Sequence, residues 1–182
     1  MEISTYRSGD RDEIKQLFTK VFSDSEGQSE GQSEGLLIGA LVSDLFATTD
    51  DNDLYGFVVV DDKKIIGSIL FSRLTFENGI NAFLLSPVAI STDFQGQGIG
   101  QKLINFGLNT LKNNGVELAI TYGDPNYYTK VGFRPITENL AKAPLKLSYP
   151  EGWLGQALVG NVIAPIAGNS KCVEAFNKPD IW

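Results

Sequence analysis

Histidine is absent from this chain of 182 residues, and cysteine occurs once, as Cys172. Without histidine the chain cannot form a Ser-His-Asp or Cys-His catalytic group, or a zinc or iron site built on imidazole ligands. A single cysteine excludes an intrachain disulfide bond, so we expect a cytoplasmic location, and Cys172 is interpreted as a small buried apolar residue. We predict no metal site. Any general base must then be Asp, Glu, Tyr, Lys, the chain's amino terminus or a relayed water.

Long hydrophobic runs and an excess of positive charge are also missing. No apolar stretch reaches the ~18 residues that a membrane-spanning helix needs, and the first seven residues lack the basic start and apolar core of a signal peptide. The formal net charge of −7 argues against nonspecific binding of nucleic acid. This charge would attract a cationic amine and repel an anionic cofactor. Local N–H groups would therefore have to bind such a cofactor.

The first part of the chain predicts one strand and two helices. Alternating apolar residues predict a strand over residues 1–7, and an apolar face that repeats every three to four residues predicts a helix over about residues 10–22. A second helix is predicted over residues 36–46. Residues 24–35 contain Glu-Gly-Gln-Ser twice in tandem, and we interpret this segment as an acidic loop between the helices.

The middle of the chain carries β-rich runs separated by turn residues. The runs cover residues 54–60, 65–76 and 81–90. Polar residues at 61–64 and an Asn-Gly pair at 78–79 are typical of hairpin turns, so we predict an antiparallel meander. A helix over residues 101–114 and a strand over residues 118–122 follow.

A glycine-rich segment, Gln95 to Gly100, stands between the last apolar run of the meander and the next helix. We call it the glycine loop. Glycine adopts positive φ angles and has no Cβ to keep a ligand away. The start of a helix adds unpaired N–H donors and a partial positive charge. The sequence therefore predicts that this loop binds a phosphorylated cofactor.

Three cofactor patterns compete for this loop. A dinucleotide fingerprint starting at Gly96 needs a glycine where Gln101 stands, and a nucleotide-binding P-loop needs a Gly-Lys-Ser/Thr run that the chain lacks. The pattern Gln/Arg-x-x-Gly-x-Gly/Ala, which binds the pyrophosphate of coenzyme A, is satisfied by Gln95, Gly98 and Gly100. A glycine-rich turn that only connects a strand to a helix remains the alternative.

A second motif follows downstream, in residues 123–133. Asp124 is a good helix N-cap, Pro125 suits a first helical turn, and Gly132 fits the left-handed residue that ends a helix. The motif predicts a strand, a helix of one or two turns, and then Phe133 entering the next strand.

With these two motifs the sequence resembles the GCN5-related N-acetyltransferase (GNAT) superfamily. The glycine loop and Tyr-x-x-x-Gly-Phe at Tyr128 to Phe133 carry the resemblance, in the right order. The longer pattern Gly-Asp-Pro-x-Tyr-Tyr-x-x-x-Gly-Phe resembles the YhbS-type acetyltransferases within that superfamily. The resemblance implies an α/β (α+β) fold. Its central sheet would be mixed, mostly antiparallel, splayed at the cofactor cleft and flanked by helices.

The resemblance also implies how the chain is divided. Residues 1–136 would form the acetyltransferase core, and residues 137–182 a C-terminal extension packed on the same domain. Strands are predicted in this extension at residues 143–149 and 157–166, around a turn at residues 150–153.

The resemblance implies acetyl-CoA as co-substrate and an N-acetyltransferase that moves its acetyl group to a primary amine by direct attack in a ternary complex. Pro87 marks an edge or a bulge in its strand, so the freed backbone at Val88, Ala89 and Ile90 could pair with the pantetheine arm. An N–H near Val88 or Ala89 could polarise the thioester oxygen. The amides expected at the pyrophosphate are those of Gln95, Gly96, Gln97, Gly98, Ile99, Gly100 and Gln101.

Tyr128 stands where the superfamily often has a tyrosine that acts as general acid. A phenol of pKa ~10 is protonated at neutral pH and can donate to a thiolate whose thiol has a pKa of ~8.5. Tyr127 is the second candidate for this role, and packing in the core is the structural alternative for Tyr128. Asn126 could hydrogen-bond pantetheine or be a solvated residue of the first helical turn.

The general base is the least determined residue. Glu34, at the predicted start of the second helix, lies in a region that lines the acceptor site in similar proteins. Glu26 and Glu30 share its sequence context, and a solvated acidic loop is the alternative for all three. Glu77 is interpreted as a turn residue.

Two other functions remain open from the sequence. The chain could be a non-enzymatic acyl-CoA binding or sensing domain on the same fold, because fold does not determine function. It could also be a nucleotide-binding domain. The acceptor is open between small amines, amino acids and protein lysines, and the chain could be a monomer or a homodimer. We expect no nucleic-acid or membrane partner.

Overall fold

The computed structural model describes residues 1–25 and 28–182, with the backbone alone for residues 28–33. Its strands are β1 (Glu2–Thr5), β2 (Leu54–Asp61), β3 (Lys64–Phe76), β4 (Asn81–Ile90), β5 (Leu118–Tyr122), β6 (Arg134–Pro135), β7 (Trp153–Ala157) and β8 (Ser170–Lys171). Its helices are α1 (Arg11–Asp24), α2 (Gln28–Thr48), α3 (Ile99–Asn113) and α4 (Pro125–Tyr128).

The strands form one sheet in the hydrogen-bonded order β1-β2-β3-β4-β5-β7-β6, and β8 pairs with β3. The pairs β1–β2, β3–β8, β5–β7 and β6–β7 are antiparallel, and the pair β4–β5 is parallel. The predicted α/β class with a mixed, mostly antiparallel sheet is confirmed.

The chain folds into two compact units. One contains Met1–Leu70 and Pro87–Gly107, and the other contains Phe71–Ser86 and Leu108–Trp182. Each unit has its own buried aromatic residues, Phe18 and Phe57 in the first, and Phe71, Phe83, Phe133, Trp153 and Phe176 in the second. The predicted boundary between a core and an extension at residue 136 stays a prediction.

Helix α2 begins at Gln28, so the prediction of a loop over residues 24–35 was wrong from that point on. Close packing of α1 on α2 explains the longer helix. A Cβ on Gly35 would clash with the Ser23 hydroxyl and stand 2.5 Å from the Thr19 carbonyl oxygen, and a Cβ on Gly39 would clash with the Thr19 hydroxyl. Glycine is a poor helix former by about 1 kcal/mol per residue. At these positions its small size brings the two backbones together, which local propensity does not reveal.

The predicted meander is confirmed, and its turns show why. Asp62 and Lys63 have φ angles of 45° and 64°, which are the left-handed conformations of a two-residue hairpin turn. Gly79 has a φ of 75° and follows Asn78, whose side-chain oxygen accepts a hydrogen bond from the Ile80 amide at 3.0 Å. The predicted first strand, first helix and strand at residues 118–122 are also present.

The strands predicted at residues 143–149 and 157–166 were wrong. The strand of this region is β7, which starts at Trp153, the last residue of the predicted turn, and pairs with β5 from Leu118↔Ala157 to Tyr122↔Trp153. The Trp153 indole is buried, and its Nε1 donates to the Ala141 carbonyl at 2.8 Å. These partners are distant in sequence, so the local apolar pattern does not locate the strand.

Strand β4 is paired with β5 in its first part and continues beyond this pairing toward the glycine loop. The register runs from Ala82↔Leu118 to Leu85↔Thr121, while β4 itself continues through Pro87 to Ile90. Pro87 has no N–H to donate to a neighbouring strand. The last residues of β4 then lead into the glycine loop and α3.

Among residues 1–25 and 28–182, no helix combines the length and the apolar character needed to cross a bilayer.

The contact between α1 and α2 generates the first prediction. Gly35→Ala should lower the free energy of unfolding by about 1–2 kcal/mol, because the new methyl group overpacks the Thr19 main chain and its strain exceeds alanine's helix preference. The new methyl group of Gly39→Ala would meet only the Thr19 side chain, so adding Thr19→Ala should restore the stability that Gly39→Ala loses. Urea unfolding of the single and double variants measures both effects. A Gly35→Ala protein as stable as wild type would contradict this packing.

Candidate active site

The glycine loop lies at the start of α3 with an open space above it. Gly96 and Gly98 have φ angles of 76° and 77°. Among the described residues, no heavy atom comes within 4 Å of the position that a Cβ would take at either glycine. A helix that begins at Ile99 leaves its first N–H groups without carbonyl partners one turn earlier. The loop therefore offers main-chain N–H donors around an empty volume, as an anion site requires.

Gln95 shapes this loop from inside. Its side-chain Nε2 donates to the Ile90 carbonyl at 2.9 Å, and its main-chain N–H donates to the Thr92 carbonyl at 3.4 Å. The side chain thus connects the loop to the end of β4. Gln95 was predicted to contact the coenzyme, and in this structure its side-chain amide donates to the main chain at the end of β4.

The end of β4 is held against β3. The Ser91 N–H donates to the Ile66 carbonyl at 2.7 Å. A Cβ at Gly67 would come within 2.7 Å of the Ile90 Cδ1 atom, so glycine there allows close packing. Ala89 and Ile90 are buried, and Val88 is half-buried. The Ile90 carbonyl already accepts a hydrogen bond from Gln95. Of the three residues predicted to contact pantetheine, Ile90 therefore has one main-chain group fewer available.

A polar cluster at the end of α1 holds the turn that precedes the glycine loop. The Thr92 hydroxyl donates to Asp24 Oδ2 at 3.1 Å, and Lys20 Nζ lies 2.7 Å from the same oxygen. The hydrogen bond from Lys20, and then that from Thr92, lower the pKa of Asp24. This cluster was not predicted from the sequence. Only the i,i+4 spacing of Lys20 and Asp24 could have indicated part of it.

The second motif forms the short helix that was predicted. Asp124 Oδ1 accepts the Asn126 N–H at 2.9 Å, and the Asp124 carbonyl accepts the Tyr128 N–H at 3.2 Å. Gly132 has a φ of 95°, and the Phe133 N–H donates to the Tyr128 carbonyl at 3.2 Å. Capping and helix end therefore follow the sequence prediction. The Asn126 side chain is exposed.

Tyr128 packs among aromatic rings beside β5. Its ring centroid lies 5.0 Å from that of Tyr127 and 5.9 Å from that of Phe133, both edge to face. Burial raises the pKa of Tyr128 strongly, the neighbouring Tyr127 raises it further, and a hydrogen bond with Thr121 opposes the rise. The Thr121 hydroxyl donates to the Leu85 carbonyl at 2.8 Å. Tyr128 is thus half-buried as a residue, while its phenol is kept firmly protonated.

Glu34 is placed differently from the expectation, whereas Glu77 is a turn residue as expected. Glu34 is half-buried within α2 rather than at its start, and it has interaction partners. Glu26 lies outside the described residues, as does the side chain of Glu30. Glu77 accepts the Asn169 N–H at 3.4 Å. Cys172 is half-buried, and burial raises the pKa of its thiol, which disfavours the nucleophilic thiolate.

The structure brings Val88, Ala89, Ile90, residues 95–101 and Glu34 into one compact unit, and places Asn126 and Tyr128 in the other. Among residues 1–25 and 28–182, no cluster of three or more metal-ligating side chains occurs.

Comparison with known proteins decides the family. The profile of the acetyltransferase (GNAT) domain matches residues 52–135. Over 128 residues the chain is 30% identical to the uncharacterized N-acetyltransferase YhbS of Escherichia coli K12, which covers 68% of this chain and 74% of YhbS. The chain belongs to the GNAT acetyltransferase family. A second GNAT relative, the uncharacterized N-acetyltransferase YjhQ of the same bacterium, is 28% identical over 117 residues, or 61% of this chain and 64% of YjhQ.

Two solved structures share the GNAT fold with this chain. The crystal structure of YhbS from Escherichia coli in complex with CoA has a TM-score of 0.77 at 23% identity, covering 97% of this chain and 92% of that one. A GNAT family acetyltransferase from Brucella melitensis in complex with acetyl-CoA has a TM-score of 0.69 at 25% identity and covers 97% of both chains. The fold expected from the two sequence motifs is confirmed.

The open space above the glycine loop generates a binding prediction. Gly98→Trp should abolish binding of coenzyme A, because the indole fills that space and a side chain at positive φ strains the loop. The control is Gly160→Trp, since Gly160 also has a positive φ of 72° and an open Cβ position. Isothermal titration calorimetry measures the affinity and circular dichroism the fold. Undiminished affinity of a folded Gly98→Trp protein would contradict the location of the pyrophosphate.

Proposed function

We propose that this GNAT protein is an acetyl-CoA-dependent N-acetyltransferase that acetylates a primary amine. The observation that carries the proposal is the glycine loop, where two left-handed glycines and the first turn of α3 leave N–H donors around an open volume. The Brucella melitensis structure with acetyl-CoA and the YhbS structure with CoA support the choice of ligand. The pyrophosphate would accept hydrogen bonds from main-chain N–H groups of residues 96–101, since the Gln95 N–H already donates to the Thr92 carbonyl.

The reaction would be a direct transfer. The neutral amine nitrogen attacks the thioester carbonyl carbon, a C–N bond forms, and the C–S bond breaks with its electron pair leaving on sulfur. The main-chain N–H of Val88 or Ala89 would stabilise the developing oxyanion. Tyr128 would donate its phenolic proton to the departing thiolate. The proton lost from the amine nitrogen would pass to Glu34 and from there, through solvent, to the Tyr128 phenolate. Protons and charge then balance over the cycle.

The raised pKa of Tyr128 has a defined consequence for this role. A group whose folded pKa lies above its unfolded value of ~10 stays protonated at every pH at which the enzyme would work. The acid form is therefore fully present at neutral pH and is lost only as the pH rises through the folded value. We expect no loss of rate between pH 7 and about pH 10 from deprotonation of Tyr128.

Glu34 is proposed as the base that accepts the amine proton, and Asn126 as a hydrogen-bond donor to pantetheine. The amine acceptor is proposed as a class only, a small molecule or protein amine. The excess of acidic over basic residues in the chain, 22 against 15, supports a cationic acceptor over an anionic one.

The test of the function is a panel of primary amines incubated with acetyl-CoA, with the released thiol measured by a chromogenic disulfide. We expect one or more amines to give thiol release above the hydrolysis rate. Binding of acetyl-CoA without thiol release from any amine would favour an acyl-CoA sensing domain, and preference for NAD or ATP would favour a nucleotide-binding domain.

Tyr128→Phe should lower turnover by about 10²–10⁴-fold, the usual contribution of a general acid. The matched control is Tyr127→Phe, which removes the adjacent hydroxyl and should leave turnover close to wild type. Steady-state kinetics at several pH values measure both variants. If Tyr128→Phe folds and keeps full turnover, Tyr128 has no part in proton transfer.

A further inference from the structure

Tyr122, the last residue of β5, has several partners that are distant in sequence. Its ring stacks on Trp182 at 5.8 Å between centroids and 21° between planes, and meets Trp153 edge to face at 6.3 Å. Its hydroxyl accepts the Tyr149 N–H at 2.7 Å and lies 3.4 Å from the Ser148 Oγ. Both ends of this side chain are therefore held, although the residue is only half-buried.

Trp182 is a fixed partner for this stack. It is buried, its Nε1 donates to the Phe176 carbonyl at 2.8 Å, and its ring contacts Trp153 and Phe176 edge to face at 5.9 and 6.2 Å. Stacked and edge-to-face ring pairs of this kind each stabilise beyond the area that they bury. The position of Tyr122 is thus set by Trp153 and Trp182, and Phe176 in turn supports Trp182.

Gly123, the residue after Tyr122, is in contact with the Tyr128 ring. A Cβ at Gly123 would come within 2.7 Å of the Tyr128 Cε2 atom, so the Tyr128 ring rests directly on the Gly123 main chain. The Gly123 N–H donates to the Gly152 carbonyl at 3.0 Å. Any shift of the main chain at the end of β5 would therefore be passed to the Tyr128 ring.

We propose that Tyr122 is a positioning residue for Tyr128, held in place by Trp182 and by the main chain of Tyr149. The proposal rests on the proposed function in so far as Tyr128 serves as the acid. Tyr122 holds the main chain at Gly123, Gly123 supports the Tyr128 ring, and the phenol is thereby kept in one buried position. The segment around residues 149–182 would thus contribute to the reaction without contacting the substrates.

The experiment compares Tyr122→Leu, which removes the ring and the hydroxyl, with Tyr122→Phe, which keeps the stack on Trp182. Trp182→Leu removes the stack from the other side. The control is Tyr55→Leu, because Tyr55 stacks on Phe57 at 6.4 Å and 9° in the other compact unit. Circular dichroism and thermal unfolding establish that each variant is folded at the assay temperature.

The first readout does not need an acceptor. Tetranitromethane nitrates phenolate, and the nitration rate of Tyr128 at pH 8 is followed by peptide mass spectrometry against Tyr6 in the same molecule. A freed phenol regains an ordinary pKa, and each pKa unit regained increases the phenolate fraction about 10-fold. We expect faster nitration of Tyr128 in Tyr122→Leu and Trp182→Leu, a smaller rise in Tyr122→Phe, and wild-type nitration in Tyr55→Leu.

The second readout is kinetic. Displacement of a catalytic group by about 1 Å can cost about 100-fold in rate. We expect kcat to fall by about 10- to 100-fold in Tyr122→Leu, with the KM for acetyl-CoA unchanged and with Tyr122→Phe close to wild type. The double variant Tyr122→Leu/Trp182→Leu should lose less kcat than the product of the two single losses, because both single variants remove the contact between Tyr122 and Trp182.

The outcomes separate the two proposals. Wild-type nitration of Tyr128 and wild-type kcat in all folded variants, or equal effects in Tyr55→Leu, would overturn the positioning role. Should Tyr122→Leu not fold, Tyr122→Phe and Trp182→Leu still decide it by nitration. If no amine is acetylated while nitration changes as expected, the transferase proposal fails and the control of Tyr128 by Tyr122 stands.

Discussion

The connection from β4 to helix α3 depends on a main-chain turn that only glycine makes without strain. The chain must turn from the end of β4 into α3 within a few residues. It does so with Gly96 and Gly98 at φ near +76°, a conformation that L-residues with a Cβ adopt only at a cost. The same two residues keep the space above the turn free. One constraint on the backbone thus produces both the connection between the elements and the exposed amides.

This arrangement also answers an electrostatic problem. A chain with a net charge of −7 repels a polyanionic carrier at long range, and the glycine loop itself contains no lysine or arginine. Repulsion between exposed charges is screened beyond about 10 Å at moderate salt, whereas N–H dipoles act at contact distance. Fixed amide donors can therefore hold a diphosphate at a loop that has no cationic side chain of its own. Lys20 forms an ion pair with Asp24, which also accepts the hydrogen bond from Thr92 in the turn before the glycine loop. The positive charge of Lys20 is therefore largely compensated by Asp24.

Local signals predicted the elements that local chemistry determines. The hairpin at Asp62, the capped turn at Asp124 and the helix end at Gly132 all follow from one residue and its neighbours, and each was found where predicted. The first half of α2 was missed because its glycines disfavour a helix unless α1 lies against them. Strand β7 was misplaced because its partners lie in β5 and β6. Contacts over such distances leave no periodic pattern in a single sequence.

The candidate site divides in the same way. The glycine loop and Tyr128 could be predicted as site candidates because the chemistry expected of them needs particular residue types at a fixed spacing. The Tyr122 and Trp182 pair could not be, since nothing local connects residues 60 positions apart. In the proposed reaction this contact would act on the chemistry through Tyr128. A phenol whose pKa is raised by burial holds its proton strongly, so it can serve a leaving thiolate only if its hydroxyl is placed within hydrogen-bond reach of the sulfur. A more acidic phenol in looser surroundings would lose its proton to water at high pH and would have to find its position in every turnover. In the proposed reaction the position of the Tyr128 hydroxyl would therefore limit proton donation, and the aromatic contacts at the end of β5 would fix that position.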